Sequence, residues 1–308
     1  MSTYLVTGGA GFIGSHLCDA LLAAGHRVRV IDDLSTGKRE NLPPEATLIE
    51  GNAADRALLG DVLDGVAGCF HLAAIASVER GAREWLRTHQ TNLGATVALL
   101  DAIAARARPI PVVYASSAAV YGEPALLPLT EDAAKRPLSA YGADKYGCEL
   151  HALVATTVHG IPTVGLRFFN VYGPRQDPHS PYSGVIAIFA EHLGRRQPLT
   201  IYGDGTQTRD FIFVSDVVRA LVAAMDICPP GAPVFNVCTG IAVSIRDLAD
   251  HLGAIVGTTP DLRFAPARAG EIRHSTGAPH AGRQALGLAP PVPIHDGLQR
   301  LLLSRESA

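Results

Sequence analysis

Short continuous apolar runs alternate with stretches of helical period through the first half of the chain. "TYLVTG" reads as a strand and "GSHLCDALLAAG" as an amphipathic helix closed by Gly25. The strand "RVRVID", a loop bearing Gly and Pro to about Pro44, and the strand "ATLIEG" follow. "RALLGDVLDG" has a helical pattern, "GCFHLAA" that of a fully buried strand, and "THQTNLGATVALLDAIAARA" that of one long helix. The strand "PVVYAS", the helix "YGADKYGCELHALVATTVHG" and the strand "TVGLRFF" continue the alternation. Strands without a polar face, separated by helices, predict an α/β fold with a doubly wound parallel (Rossmann) sheet covered on both sides.

Beyond about residue 170 the pattern loosens. "NVYGPRQDPHSPYSG" is a Pro/Gly/Ser-rich loop, "VIAIFAEHLGRR" a helix, "PLTIYGDG" a strand ending in a turn, and "TRDFIFVSDVVRALVAAM" a strand running into a helix. The tail from about residue 238 holds a few short elements. The expected organisation is a nucleotide-binding domain from 1–166 with 211–237, and a smaller, partly interleaved substrate domain from 167–210 with 238–308.

Composition narrows the class. An apolar content of 47% with 18% charged residues in 308 suits an ordered protein with a large core. A net charge of −3 without a dense Lys/Arg run gives no reason to expect a nucleic-acid partner. Cys18, Cys69, Cys148, Cys228 and Cys238 are scattered without a C-x-x-C pair, which favours reduced packing thiols in a cytosol. The twelve histidines include no H-E-x-x-H, and no metal is expected. A strand begins by residue 4, leaving no room for a signal peptide, and no apolar run approaches the ~18 residues of a membrane span. A soluble, cytoplasmic protein is the expectation.

"VTGGAGFIGSHL" places Gly8, Gly11 and Gly14 between a strand and a helix. Glycines there make a tight turn and let the backbone approach a pyrophosphate at the helix N-terminus. Asp32 ends the second strand eighteen residues after Gly14, where a carboxylate hydrogen-bonds a ribose 2′-hydroxyl and repels a 2′-phosphate. Lys38 and Arg39 in the next loop keep NADP open, but NAD is favoured.

"YGADK" sets Tyr141 four residues before Lys145, on one helix face. A free tyrosine hydroxyl is a poor base near pH 7, and an ammonium held beside it favours the phenolate. Together with "HLAAIASV", "TNLGATVALL", "YASSAAVYGEP", "LRFFNVYGPR" and "GDGTQTRDFIFVSDV", the glycine turn and this pair occur in a specific order. The sequence thus resembles the extended short-chain dehydrogenase/reductases, in the branch of NAD-dependent nucleotide-sugar epimerases and dehydratases. The resemblance runs from the glycine turn to "RAGEI".

The resemblance implies roles. Tyr141 is the acid/base, Lys145 supports it and holds the nicotinamide ribose, and Ser117 relays the proton of a sugar hydroxyl. Phe12, Ile13, Asp33, Asn52, Ala53, Leu72, Ala73, Ala74 and Phe168 join the glycines, Asp32 and Lys38 around NAD, with Asn92 behind them. Asn170, Arg209 and Arg268 address the substrate diphosphate, and Glu271 the nucleotide ribose. Arginine suits phosphate because its planar fork binds two oxygens at once. Asp33 stands where the family often has Asn, and Asn52 where it commonly has Asp. "STGAPHAGRQALG" departs from the usual acidic segment, which puts in doubt how the tail closes over the substrate.

Dehydratases of this branch typically follow the Ser/Thr with an Asp-Glu pair, and related decarboxylases carry a Glu there. Ser117-Ala118-Ala119 resembles the 4-epimerases instead, implying a UDP-hexose substrate, with UDP-glucose/UDP-galactose first. Ser275, a small residue at a wall that a bulky aromatic fills in relatives, hints at UDP-GlcNAc/UDP-GalNAc as well. UDP-glucuronate stays open, as do a net NAD(P)-dependent dehydrogenase or reductase and a non-catalytic NAD-binding sensor. The family commonly dimerises through two helices, and the apolar faces of "LGATVALLDAIA" and "CELHALVATTV" suit either a homodimer or the cover of the sheet.

Overall fold

Strand β1 (Thr3–Thr7) enters helix α1 (Phe12–Ala23), and β2 (Arg27–Asp32), β3 (Thr47–Glu50), α2 (Arg56–Val62) and β4 (Gly68–His71) follow. The computed structural model describes residues 1–178, 184–267 and 272–306. Two short helices, α3 (Val78–Arg83) and α4 (Trp85–His89), lead through a π-helical segment, Gln90–Gly94, into α5 (Ala95–Ala104). Then come β5 (Val112–Ser117), α6 (Ala140–His159), β6 (Thr163–Phe168) and the short β7 (Asn170–Tyr172). After these, α7 (Val185–Gly194), β8 (Leu199–Tyr202), β9 (Thr208–Phe213), α8 (Val214–Ile227) and β10 (Val234–Val237) alternate. The C-terminal elements are β11 (Ala242–Ser244), α9 (Ile245–Val256), β12 (Leu262–Ala265), β13 (His274–Ser275), α10 (His280–Ala285) and α11 (Ile294–Glu306).

Seven strands form one sheet in the order β10-β6-β5-β4-β1-β2-β3, every pair parallel. The doubly wound α/β architecture expected from the apolar runs is present. Its strands are apolar on both sides because both faces are covered. Leu17 and Leu21 of α1 and Val217 and Leu221 of α8 pack on one face against Val6, Val30 and Phe70. Leu59, Leu99, Ile103 and Ala152 pack on the other, against Leu5, Ile31, Val112 and Tyr114. The chain reverses direction across the sheet between β1 and β4, which opens a crevice at the strands' C-terminal ends.

The loosely patterned half builds smaller layers. β11, β9 and β13 form a second sheet with β7 added to β9, and β12 pairs with β8. Phe189, Leu199, Ile201, Phe211, Leu248 and Leu252 form a separate core beneath them. The atypical tail docks on the segment after β5: Leu129 donates to the Thr276 carbonyl (2.8 Å) and accepts from the Ala278 N–H (2.7 Å).

The single long helix expected over "THQTNLGATVALLDAIAARA" differs in detail. Helical structure begins earlier, at Val78, and Gln90–Gly94 is π-helical. A periodicity of apolar residues does not reveal such a bulge, which widens one turn and re-aims the side chains within it.

Candidate active site

The glycine turn is dictated by backbone packing. Gly8 has φ +72°, and a Cβ there would lie 2.7 Å from the Ala73 nitrogen. At Gly14 a Cβ would lie 2.2 Å from the Gly8 carbonyl oxygen. Gly11 stands at the α1 N-cap without a side chain to occupy the first-turn N–H groups, so they remain available to an anionic group.

Asp32, at the end of β2, is buried. Its Oδ2 accepts the Ala10 N–H and its Oδ1 the Leu34 N–H, each at 2.9 Å. Burial raises its pKa, partly opposed by these two bonds. Each carboxylate oxygen retains a lone pair for a further donor. Asp33 is exposed and holds the Ser35 N–H and hydroxyl. Lys38 is exposed beside them, whereas Arg39 is paired with Glu50 at 3.0 Å.

Ser139 caps α6, accepting the Gly142 N–H at 3.1 Å, and this fixes where the helix carrying Tyr141 and Lys145 starts. Lys145 is 4% exposed; its Nζ donates to the Ala115 carbonyl at 2.8 Å and lies 5.9 Å from the centre of the Tyr141 ring. Ser117 ends β5, and its Oγ accepts the Ala119 N–H at 3.1 Å. A hydroxyl already accepting on one side keeps its own proton for a partner in the cleft.

A cleft of about 910 Å³ joins these groups. On its wall lie Gly8, Gly11 through Gly14, Asp32, Asp33, Lys38, Asn52 and Ala53, together with the segment Leu72 to Ala74. Ser117, Tyr141, Lys145, Phe168 and Asn170 of the expected set lie on it too. Asn92 lies behind the wall on the π-helical segment, its Oδ1 accepting the Ile75 N–H at 2.7 Å and its amide donating to the Ile75 carbonyl. It holds the segment after Ala74 in place. Arg209 and Ser275 are register partners on β9 and β13, and among the described residues they do not line the cleft. Arg209 donates to the backbone carbonyls of Thr208 and Arg273. Arg268 and Glu271 lie outside the described residues.

Sequence reasoning missed Ser77, Arg80, Thr91, Phe169 and Gln176, all on the wall. The motif "HLAAIASV" runs past Ala74 to Ser77, and reading it to its end finds the first of them. Behind the same wall, His71 is buried between the Thr7 and Thr96 hydroxyls at 2.8 and 3.1 Å. Burial, with the Lys145 charge in second place, lowers its pKa to about 3, so the ring is neutral near pH 7.

The sequence model of the NAD dependent epimerase/dehydratase family matches residues 4–238. The chain belongs to this family. A UDP-glucose 4-epimerase of Mycolicibacterium smegmatis is 38% identical over 303 residues, covering 96% of each chain. Among solved structures, the UDP-glucose 4-epimerase of Thermotoga maritima with UDP-glucose is 35% identical, covers 99% of both chains and superposes with a TM-score of 0.95. The UDP-N-acetylglucosamine 4-epimerase of Methanobrevibacter ruminantium, in complex with UDP-N-acetylmuramic acid, is 35% identical over 99% of this chain and 98% of its own, with a TM-score of 0.94. The Thermus thermophilus UDP-glucose 4-epimerase in complex with NAD is 34% identical, covers 99% of both chains and has a TM-score of 0.91.

NAD is the cofactor of this family, and the residues present fit it. The glycine turn leaves an uncapped helix terminus for a pyrophosphate, and a carboxylate stands at the end of β2 for a ribose. No helix is long and apolar enough to cross a membrane, among the described residues.

Proposed function

We propose that the protein is an NAD-dependent 4-epimerase of UDP-hexoses, interconverting UDP-glucose and UDP-galactose and accepting UDP-GlcNAc and UDP-GalNAc. The carrying observation is the meeting of Ser117, Tyr141 and Lys145 on one cleft, followed directly by Ala118 and Ala119. That turn has no carboxylic acid to protonate and expel a sugar hydroxyl, so the set suits oxidation and re-reduction at one carbon.

The first-turn N–H groups of α1 hold the NAD pyrophosphate, Asp32 and Asp33 the adenine-side ribose, Asn52 and Ala53 the adenine. Lys145 holds the nicotinamide ribose. When bound, NAD supplies a hydride acceptor at sugar C4 and later the donor of the same hydride. The Tyr141 phenolate takes the proton of the 4-hydroxyl, with Ser117 bridging sugar and tyrosine, and returns it after the 4-keto sugar has turned over. Lys145, fixed by the Ala115 carbonyl, keeps its ammonium 5.9 Å from the centre of the Tyr141 ring. Asn170 contacts the substrate diphosphate from the cleft wall; the roles of Arg209, Arg268 and Glu271 toward the UDP moiety rest on the resemblance alone. A second copy of the chain covers the exposed stripe Leu150, Leu153, Val154 and Val158 of α6, and sedimentation as a monomer would refute that dimer.

The test is a proton NMR assay without added NAD on UDP-galactose, UDP-GalNAc and UDP-glucuronate. The C4 epimer appears with the wild-type protein, and Tyr141→Phe retains NAD while slowing turnover by about 10²–10⁴-fold. Near-normal turnover in that variant sinks the mechanism. Acceptance of the N-acetylated pair rests on the resemblance at the small Ser275, a residue that does not line the cleft among the described residues, and unchanged N-acetyl turnover in Ser275→Tyr removes that part of the proposal.

A further inference from the structure

Tyr141, Lys145 and Glu149 follow one another at four-residue spacing along α6. Lys145 reaches the carbonyl of Ala115, and Glu149 accepts the Ser116 hydroxyl at 2.5 Å. The helix is thus tied to β5 at two consecutive residues directly before Ser117. Glu149 also receives two arms of Arg167 from β6, Nε to Oε1 and Nη2 to Oε2, both at 2.8 Å. The remaining arm of Arg167 donates to the Tyr121 hydroxyl and the Glu131 carbonyl, again at 2.8 Å. Tyr121 donates to Asn236 of β10 at 2.6 Å, and the Asn236 amide donates to the Leu129 carbonyl at 2.9 Å. These side chains are between 1% and 7% exposed, and neither Glu149 nor Arg167 lines the cleft.

A buried ion pair is a poor device for stability, because apolar residues of similar volume avoid its desolvation cost. Its value is direction. Apolar contacts under α6, at Cys148, Ala152 and Ala155, tolerate small slides and rotations. A planar fork on a carboxylate tolerates neither. We propose that the Glu149–Arg167 pair is a positioning device that sets the rotation and height of α6 over β5, and so the placement of Tyr141 and Lys145 against Ser117. The inference rests on the epimerase reading above. Neither residue touches substrate or cofactor; both act through the helix and the strand.

The test counts turnover of UDP-galactose per bound NAD, so that misfolded protein is left out. For Glu149→Gln, kcat per bound NAD is expected to fall about 10- to 100-fold, with KM within about twofold of wild type, since a misplacement near 1 Å acts on the transition state. The paired variant Glu149→Leu/Arg167→Met leaves no lone buried charge. It is expected to melt cooperatively with NAD bound and to show the same loss of kcat. Wild-type kcat per bound NAD in either variant overturns the proposal, and so does a loss confined to KM. Failure of both variants to retain NAD overturns it as well, because the pair is then needed to build the fold rather than to aim the helix. If the wild-type protein turns over no UDP-sugar, the epimerase reading itself fails; an active wild type with indifferent variants strikes the pair alone.

Discussion

The two ends of the cleft are made of different materials. At the nucleotide end the shape comes from backbone: a glycine turn, a helix terminus and one carboxylate, contributed by residues 8–14 and 32–33. At the end lined by Ser117, Tyr141, Lys145 and Phe169 it comes from side chains held by buried polar groups drawn from distant segments: the Arg167–Glu149 pair, and Asp210, which is off the wall but holds the Gly277 N–H beside Phe169. Asp210 is 0% exposed and holds the Thr239 N–H and hydroxyl, the Gly240 N–H and the Gly277 N–H, at 2.6–3.2 Å. Burial raises its pKa, and these four donors pull it back. A site made of backbone tolerates many side-chain changes but not an added Cβ, whereas a site made of buried side chains fails when one acceptor is lost.

The comparison breaks most visibly at Gly14→Ala. The new methyl meets the Gly8 carbonyl at 2.2 Å, and backbone cannot step aside as a flexible side chain can. The expected protein emerges from gel filtration without NAD, with turnover below about a thousandth of wild type, because hydride transfer needs the cofactor in place. A variant that keeps its NAD would refute the backbone account.

Asp210→Asn should act at the other end only. One carboxylate oxygen becomes an amide donor facing donors, at a cost of about 2–4 kcal/mol in stability. NAD content stays at the wild-type level while KM for the UDP-sugar rises about tenfold, the mark of lost substrate binding. Equal losses of NAD and of substrate affinity would show that the two ends are not separable.

The smallest effect on activity concerns His71, which lies behind the wall and is read in stability alone. Its folded pKa of about 3 lies below the ordinary histidine value, so between the two the unfolded chain binds a proton that the folded one does not. Its contribution is fully present above about pH 6.5 and is lost as pH falls, by about 1.4 kcal/mol per unit, until about pH 3. His71→Gln removes the titration, so urea midpoints at about pH 7.5, 6 and 5 should fall less steeply in the variant. Parallel slopes would mean that the ring is not held neutral.

The same contrast decides what was legible in the sequence. Gly8, Gly11, Gly14 and Asp32 form a local pattern whose spacing carries its own meaning, and the structure places all four on the cleft. Tyr141 and Lys145 were legible only in company, because a tyrosine four residues before a lysine recurs by chance and the ordered motifs around the pair gave it meaning. Six of the seven parallel strands followed from apolar runs; the short edge strand β10, Val234–Val237, was not read from the sequence. Nothing local marks Asp210, which joins turns near 239 and 277, or the Arg167–Glu149 pair, whose partners are Ser116, Tyr121 and the Glu131 carbonyl. Their signal is a polar residue in an otherwise buried stretch, and its meaning depends on a contact made elsewhere in the chain. The π-helical turn was hidden for a related reason: it changes geometry without changing which residues are apolar.

Strand β10 has a consequence for the order of synthesis. It closes the edge of the seven-stranded sheet beside β6, yet it lies beyond α8, and Asn236 receives the Tyr121 hydroxyl only once residue 236 of 308 has been made. A nascent chain carrying Ser117, Tyr141, Lys145 and Arg167 therefore has every catalytic group proposed above and an unpaired strand edge from Gly165 to Phe168. Such an edge invites pairing with another chain. The proline- and glycine-rich stretch after β6 and the small sheets that follow are translated during that exposed interval. For a ribosome the long excursion before β10 is a delay, and the growing chain has to keep an open sheet from finding the wrong neighbour.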